Sequence, residues 1–425
     1  MNRTTHHAFE GMKKNLARLA SGAIVSQAIL VASTPLLTRI YSPDAFGVMA
    51  IFSSAYAITI PLTTLKYDAA LILPKAKKSA LNTSWLIFFI STAISILAFA
   101  LVAFSIPIFD VSPHNLWLPI ALWLGAIYTL MQQWCARRGN YRDYARSQIV
   151  GAIFNIGLSV GLGFFLDGQP IYLIIGFVAG LAASLGCMIF SYRPTQQSKT
   201  KVRPRTIMKR AWVYRQFPLL VLPTAFLVTI GQSGIPLILN ANYSLDDTGQ
   251  FAVANRLLLV PAALIGGALS EAFRSEFVRR QRERQAVLGV FGITLRTLLF
   301  LALPLFGFIA IIAPYLFPLI FGKEYEQAGH VARAVISGVA AQFIGNPFAS
   351  VFVALRQAGT GLRVQIAITT VPALILLIAA ALRLPLTSAL TIYSAANVVG
   401  IGIMIIMVWN RCRNFDSILE SRRGN

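Results

Sequence analysis

The sequence predicts an all-α integral membrane protein of about 12 transmembrane helices, arranged as two six-helix bundles. Three observations predict it. Only 12% of the 425 residues are charged, 56% are hydrophobic, and the mean hydropathy is +0.67. A soluble domain carries about 25% charged residues, so this chain lacks the side chains to cover a water-facing surface. Apolar runs of about 20 residues, the length that crosses a bilayer, follow one another along the whole chain. Short sequence elements also recur, once in each half.

Taken in order, Met1 to Arg18 is polar and lacks the apolar core and small-residue cleavage site of a signal peptide, so it is expected to be a retained cytoplasmic tail. Helix 1 is expected at 17–38 and helix 2 at 46–66, reaching towards Leu73. Between them, Ser42 is placed to cap helix 2, Pro43 suits its first turn and Asp44 complements its dipole. After a basic break, helices 3 and 4 occupy 84–109 and 116–136, and helices 5 and 6 occupy 147–166 and 171–192. A basic linker, 193–216, separates an N-terminal lobe (1–192) from a C-terminal lobe (217–425). Helices 7 and 8 are expected at 217–239 and 250–271. The apolar run from Val287 to Phe321 is too long for one span, so helix 9 is ended near Pro314 (287–313), with 315–321 at the interface. Helices 10, 11 and 12 follow at 329–354, 364–382 and 388–410.

Orientation follows from Lys and Arg alone. With the N-terminus inside, the cytoplasmic segments hold 30 basic residues and the outer loops three, Arg39, Lys323 and Arg383. Both termini are therefore expected in the cytoplasm. The net charge of +22 is accounted for by headgroup-facing loops and needs no nucleic acid. No loop is long enough to bury a core of its own.

The two halves share a pattern. Tyr41-Ser-Pro-Asp-Ala-Phe-Gly47 aligns with Tyr243-Ser-Leu-Asp-Asp-Thr-Gly249 at an offset of 202 residues. Arg138, Arg146, Gln148 and Ile149 match Arg356, Arg363, Gln365 and Ile366 with a one-residue slip. Six helices per repeat give both halves the same orientation, so the repeat is parallel.

Four basic residues, Lys66, Arg256, Arg296 and Arg333, fall within the expected spans. Ionisable groups at that depth cost about 2.5–3.5 kcal/mol on insertion scales and mark cavities. Only Asp68 and Glu271 are acids near a span. A cavity lined in this way attracts an anion, and the planar guanidinium suits phosphate. Arg39, in the turn after helix 1, joins the candidate substrate-binding set, while Asp68 and Glu271 are the candidates for proton or sodium coupling. Each basic residue has the competing reading of snorkelling or local pairing. Gln342, Asn397 and other polar residues in the spans either line a cavity or join helices. Cys135, Cys187 and Cys412 lie too far apart in sequence to suggest a metal or disulfide framework. No P-loop, His-Glu-x-x-His or Gly-x-Ser-x-Gly motif occurs, and the four histidines fall in expected tails or loops. The expectation is a non-enzyme without a cofactor.

Leu37-Thr-Arg-Ile-Tyr-Ser-Pro-Asp-Ala-Phe-Gly47, Lys66-Tyr-Asp-Ala-Ala-Leu-Ile-Leu-Pro74 and Phe321-Gly-Lys-Glu-Tyr-Glu-Gln-Ala-Gly329 resemble signatures of the bacterial oligosaccharide flippases, polysaccharide transporters of the multidrug/oligosaccharidyl-lipid/polysaccharide superfamily. The likeness spans the chain. It implies two bundles across a central cavity and alternating-access transfer of an undecaprenyl-diphosphate-linked oligosaccharide to the outer leaflet of the bacterial cytoplasmic membrane. It also implies partners in lipopolysaccharide O-antigen or related synthesis: membrane lipids, a polysaccharide polymerase and a chain-length regulator. Position 66 is Lys where Arg is common in the family, 68 is Asp where Glu is frequent, and 325 is Tyr where Trp is frequent. A multidrug/cation antiporter of the same superfamily is the competing transport reading, disfavoured by the positive spans. A membrane polysaccharide polymerase or ligase would need larger outer loops.

Overall fold

Hydrocarbon offers a backbone no hydrogen-bond partners, so a span must close its own bonds within a helix. The computed structural model describes residues 22–74, 76–109, 113–191, 204–355 and 357–423, and every regular element among them is helical. The expected N-terminal tail, Lys75, the start of the basic linker and Arg356 lie outside the described residues.

The chain divides into two compact units, Met1–Ser233 and Gly234–Asn425. The first contains α1 (Gly22–Leu37), α2 (Pro43–Thr64), α3 (Lys77–Phe109), α4 (Trp117–Arg138), α5 (Tyr141–Phe165) and α6 (Pro170–Ser191). These are followed by α7 (Pro204–Val213), a π-helical turn at Phe217–Val221, and α8 (Leu222–Ser233). The second unit contains α9 (Ile235–Asn242), α10 (Leu245–Arg282), α11 (Leu288–Phe321), α12 (Glu326–Gly345), α13 (Ala349–Ala354), α14 (Ala358–Ala381) and α15 (Leu386–Arg423). Among the described residues, each of the twelve expected spans is largely helical. Among the described residues, eight helices are long and apolar enough to cross a membrane, or ten if each of two bent pairs is one span. The other two are α1, whose expected beginning lies outside the described residues, and α4, where Gln132, Gln133, Arg137 and Arg138 dilute the apolar run.

Small residues set the closest helix contacts, as expected where lipid gives no hydrophobic drive to association. A Cβ on Gly151 of α5 would meet the Gly180 carbonyl oxygen of α6 at 2.9 Å. In the second unit, a Cβ on Gly329 of α12 would meet the Ala313 carbonyl oxygen of α11 at 2.7 Å.

The structure corrects several boundaries. α11 does not stop near Pro314 but continues to Phe321. The continuation is held by packing: Phe317 and Phe321 are buried, their rings 5.2 Å apart, and the Gly329 backbone lies against Ala313 and Pro314. α10 runs past Glu271 to Arg282, so Glu271 does not close a helix. His330 lies within α12 rather than in a loop. The two compact units meet at Ser233–Gly234, inside the seventh expected span. Pro218, Pro223 and Pro236 punctuate that span. Its first part, α8, packs on α2, while α9 packs on α10 and α14. The later part of the linker is itself ordered as α7. Ile207, Ala211 and the following Tyr214 pack against the core formed by Tyr67, Leu71 and Trp134. The Tyr67 hydroxyl donates to the Ala211 carbonyl oxygen at 3.1 Å.

Candidate functional site

The turns that open the two halves are built as the repeat predicts. Ser42 caps α2 by accepting from the Ala45 amide, and Ser244 caps α10 by accepting from the Asp247 amide at 3.0 Å. Asp247 returns the bond to the Ser244 amide at 3.2 Å, completing a capping box. The tyrosine before each serine reaches a distant carbonyl: Tyr41 donates to Ser159 at 2.6 Å and Tyr243 to Leu384 at 2.8 Å. Burial pushes the Tyr41 phenol up to about 12, which keeps it a proton donor. Arg39, beside this turn, is exposed.

Lys66 and Asp68 do not lie within a span. α2 ends at Thr64, and Leu65 and Lys66 both adopt the left-handed region, with φ of 47° and 58°. A non-glycine residue there carries a cost of about 1–2 kcal/mol, so the surrounding structure must enforce the break. A 3₁₀ turn, Tyr67–Ile72, follows. The Asp68 carboxylate is buried and accepts from the Thr64 hydroxyl at 2.7 Å, while the Thr64 oxygen accepts from the Lys66 amide at 3.3 Å. Arg137 donates to the Leu71 carbonyl oxygen at 3.0 Å, closing the far end of the turn. Lys66 is left half-buried at its start. Sequence reasoning named Lys66 and Asp68 but missed Thr64 and Arg137. The i, i+4 spacing of Thr64 and Asp68 was the available signal.

The second unit carries the three arginines, each on a different helix. At about 1.5 Å per residue, Arg256 lies roughly 17 Å from the start of α10 and Arg333 roughly 10 Å from the start of α12. Arg296 lies roughly 12 Å from the start of α11. Arg256 is half-buried, while Arg296 and Arg333 are exposed. Their surroundings differ. Arg296 shares an exposed face with Ile293, Phe300 and Leu303, which is the company of lipid. Arg333 shares its face with His330 and Ser337, both exposed. Glu271 is exposed and pairs with Arg274 at 2.6 Å, so it does not sit beside the span arginines as a free acid.

Asn255, next to Arg256, lines a cavity of about 30 Å³ with Gln342 and Tyr393. Gln342 donates to the Asn397 side-chain oxygen at 3.5 Å, and buried Asn397 donates to the Tyr393 carbonyl at 3.0 Å. Asn397 therefore joins helices. Among the described residues, no group of three or more His, Cys, Asp or Glu side chains could hold a metal.

The sequence profile of a polysaccharide biosynthesis protein family matches residues 36–330. Among solved structures, the lipid II flippase MurJ in an inward closed conformation is similar, with a TM-score of 0.71 and 14% identity over 95% of this chain and 91% of that one. An inward-facing multidrug resistance MATE family transporter of the MOP superfamily gives 0.69 and 13% over 93% and 96%. A MOP superfamily transporter from Pyrococcus furiosus, described by the reverse polarity of its binding pocket, gives 0.60 and 12% over 96% of each chain. At these identities the likeness shows the fold. No curated protein sequence matches the chain.

Proposed function

The chain belongs to the polysaccharide biosynthesis protein family, and from that membership we propose that it flips an undecaprenyl-diphosphate-linked oligosaccharide from the inner to the outer leaflet of the bacterial cytoplasmic membrane. The coarser statement, a multi-pass membrane transporter or flippase of the MOP superfamily fold, already follows from the family and the shared architecture. The observation that carries the finer one is the sign of the charge. Three helices of the second unit each carry an arginine within an expected span, while Glu271 pairs with Arg274. A diphosphate linker is a strong anion that guanidinium groups grip through paired hydrogen bonds.

In this reading Arg256 is the principal diphosphate ligand of the second unit, supported by Arg333, while Lys66 and Arg39 are candidate anion contacts of the first unit. Arg296, exposed among Ile293, Phe300 and Leu303, is left outside this site. The prenyl tail stays in lipid, since burying it in protein gains nothing over the hydrocarbon it already occupies. Alternating access moves the head across. If the step is coupled to a proton or sodium ion, Asp68 is the acid in a buried setting and Glu271 is not. Membrane lipids are partners by necessity, and a polymerase and chain-length regulator would use the product.

Purified chain in proteoliposomes, supplied with an undecaprenyl-diphosphate-linked oligosaccharide carrying a labelled sugar, tests the proposal. Exposure of the sugar to an external glycosidase faster than in protein-free vesicles supports it. No acceleration removes it. The likeness to a multidrug resistance transporter supports a second reading, a multidrug/cation antiporter, and uptake of a cationic dye by the same vesicles would support that instead.

A further inference from the structure

We propose that one face of α12, formed by Glu326, His330, Arg333 and Ser337, lines a water-filled track for the anionic, hydroxyl-rich head of the substrate in the outer half of the membrane. The substrate class rests on the flippase reading above; the aqueous track does not.

α12 is the most enclosed long helix of its unit. It packs against α10, α11 and α15. Gly329 meets the α11 backbone, Gly338 faces Ser394 of α15, and the Ala328 amide donates to Gln250 of α10 at 2.9 Å. Ala328, Val331, Ala332, Ala334, Val335 and Ile336 are buried. What remains is a narrow sector. At about 100° per residue, Glu326, His330, Arg333 and Ser337 fall within roughly 60° of one another, and all four are exposed.

The neighbouring helix shows what a lipid-facing sector looks like in this chain. On α11 the exposed residues include Ile293, Phe300, Leu303, Phe308 and Ile311, with Arg296 among them. The exposed sector of α12 has the opposite character, with no large apolar side chain from Glu326 to Ser337. Ser337 lies roughly 17 Å along the helix from Glu326, too deep for all four groups to be solvated by headgroups. Polar side chains at that depth face a wet cavity, because hydrocarbon leaves their donors and acceptors unsatisfied. The order of groups suits a sugar diphosphate: Arg333 for phosphate oxygens, and Ser337, His330 and Glu326 for sugar hydroxyls.

The test uses the full chain with Cys135, Cys187 and Cys412 replaced by alanine, reconstituted in proteoliposomes, and single cysteines placed by Ser337→Cys, Arg333→Cys and Leu303→Cys. A charged, membrane-impermeant maleimide should label Ser337→Cys and Arg333→Cys roughly ten-fold or more faster than Leu303→Cys, because thiolate forms only in water. The undecaprenyl-diphosphate-linked oligosaccharide should slow labelling at Ser337→Cys. Labelling of Ser337→Cys as slow as that of Leu303→Cys overturns the track. Fast labelling that the substrate does not slow, in vesicles whose parent chain flips it, overturns the substrate assignment. Fast labelling in a chain that flips nothing leaves the track standing and sinks the flippase reading instead.

Discussion

The Tyr41 hydroxyl donates to the Ser159 carbonyl oxygen at 2.6 Å, tying the turn before α2 to the buried side of α5. Tyr243 does the same for the turn before α10, reaching Leu384 at the end of the region that follows α14. The repeated Tyr-Ser pair is thus a joint in each half: the serine starts a span and the tyrosine fixes its entry point, against α5 in the first unit and against the connection between α14 and α15 in the second. Tyr41→Phe leaves the Ser159 carbonyl without this partner and should cost about 1–3 kcal/mol. Thermal unfolding of the purified chain in detergent should shift downward, whereas Tyr41→Trp would also clash with Gly163, whose Cβ position lies 2.6 Å from the Tyr41 ring.

Thr64→Val should destabilise the first unit by about 1–3 kcal/mol, because the Asp68 carboxylate is buried and loses a hydroxyl donor. Thr64→Ser keeps the donor and should behave like the parent chain. Protease susceptibility of the segment around Lys66 measures this locally, and equal behaviour of the valine and serine variants would rule out the bond as the clamp.

Asp416, near the end of α15, accepts from the backbone amides of Val287 and Leu288 at 2.8 and 2.9 Å and so caps α11 from 128 residues away or more. Asp416→Ala removes both acceptors and should lower stability by about 1–2 kcal/mol. Asp416→Asn should recover part of it. Removing the chain beyond Arg413 should match the alanine variant in a thermal-shift measurement.

Gly329→Leu should block folding of the second unit. The added side chain has no room against Ala313 and Pro314, and overpacking against backbone costs about 1–3 kcal/mol or more. Gly307→Leu, where nothing lies within 4 Å of the Cβ position, is the matched control and should be tolerated. Size-exclusion profiles of the two variants distinguish them.

Much of this architecture was legible in the sequence, because a bilayer imposes a length and a polarity that composition reveals directly. The spans, the Ser42 and Ser244 caps and the paired tyrosines were all visible as patterns. Other features were hidden for identifiable reasons. The break at Leu65 and Lys66 places ordinary residues in the left-handed region, and no local signal marks it. Pro314 and Pro318 look like helix ends, yet burial of Phe317 and Phe321 carries α11 through them. The candidate residues stood out in the sequence by type, but their placement did not: Lys66 and Asp68 lie in the turn beyond α2 and not within a span. Which face each arginine presents depends on packing: Arg296 stands among lipid-like neighbours and Arg333 among polar ones, a distinction that counting charges in a span does not make.

In the proposed mechanism, guanidinium groups within the spans hold the diphosphate of a lipid-linked oligosaccharide. The most direct measurement is flipping of that labelled substrate by Arg256→Gln in proteoliposomes, with the amount of inserted protein matched to the parent. Loss of a bidentate charged contact should reduce the rate at least about ten-fold, roughly 1.4 kcal/mol or more, with Arg256→Lys intermediate. A glutamine variant that flips at the parent rate would contradict the account.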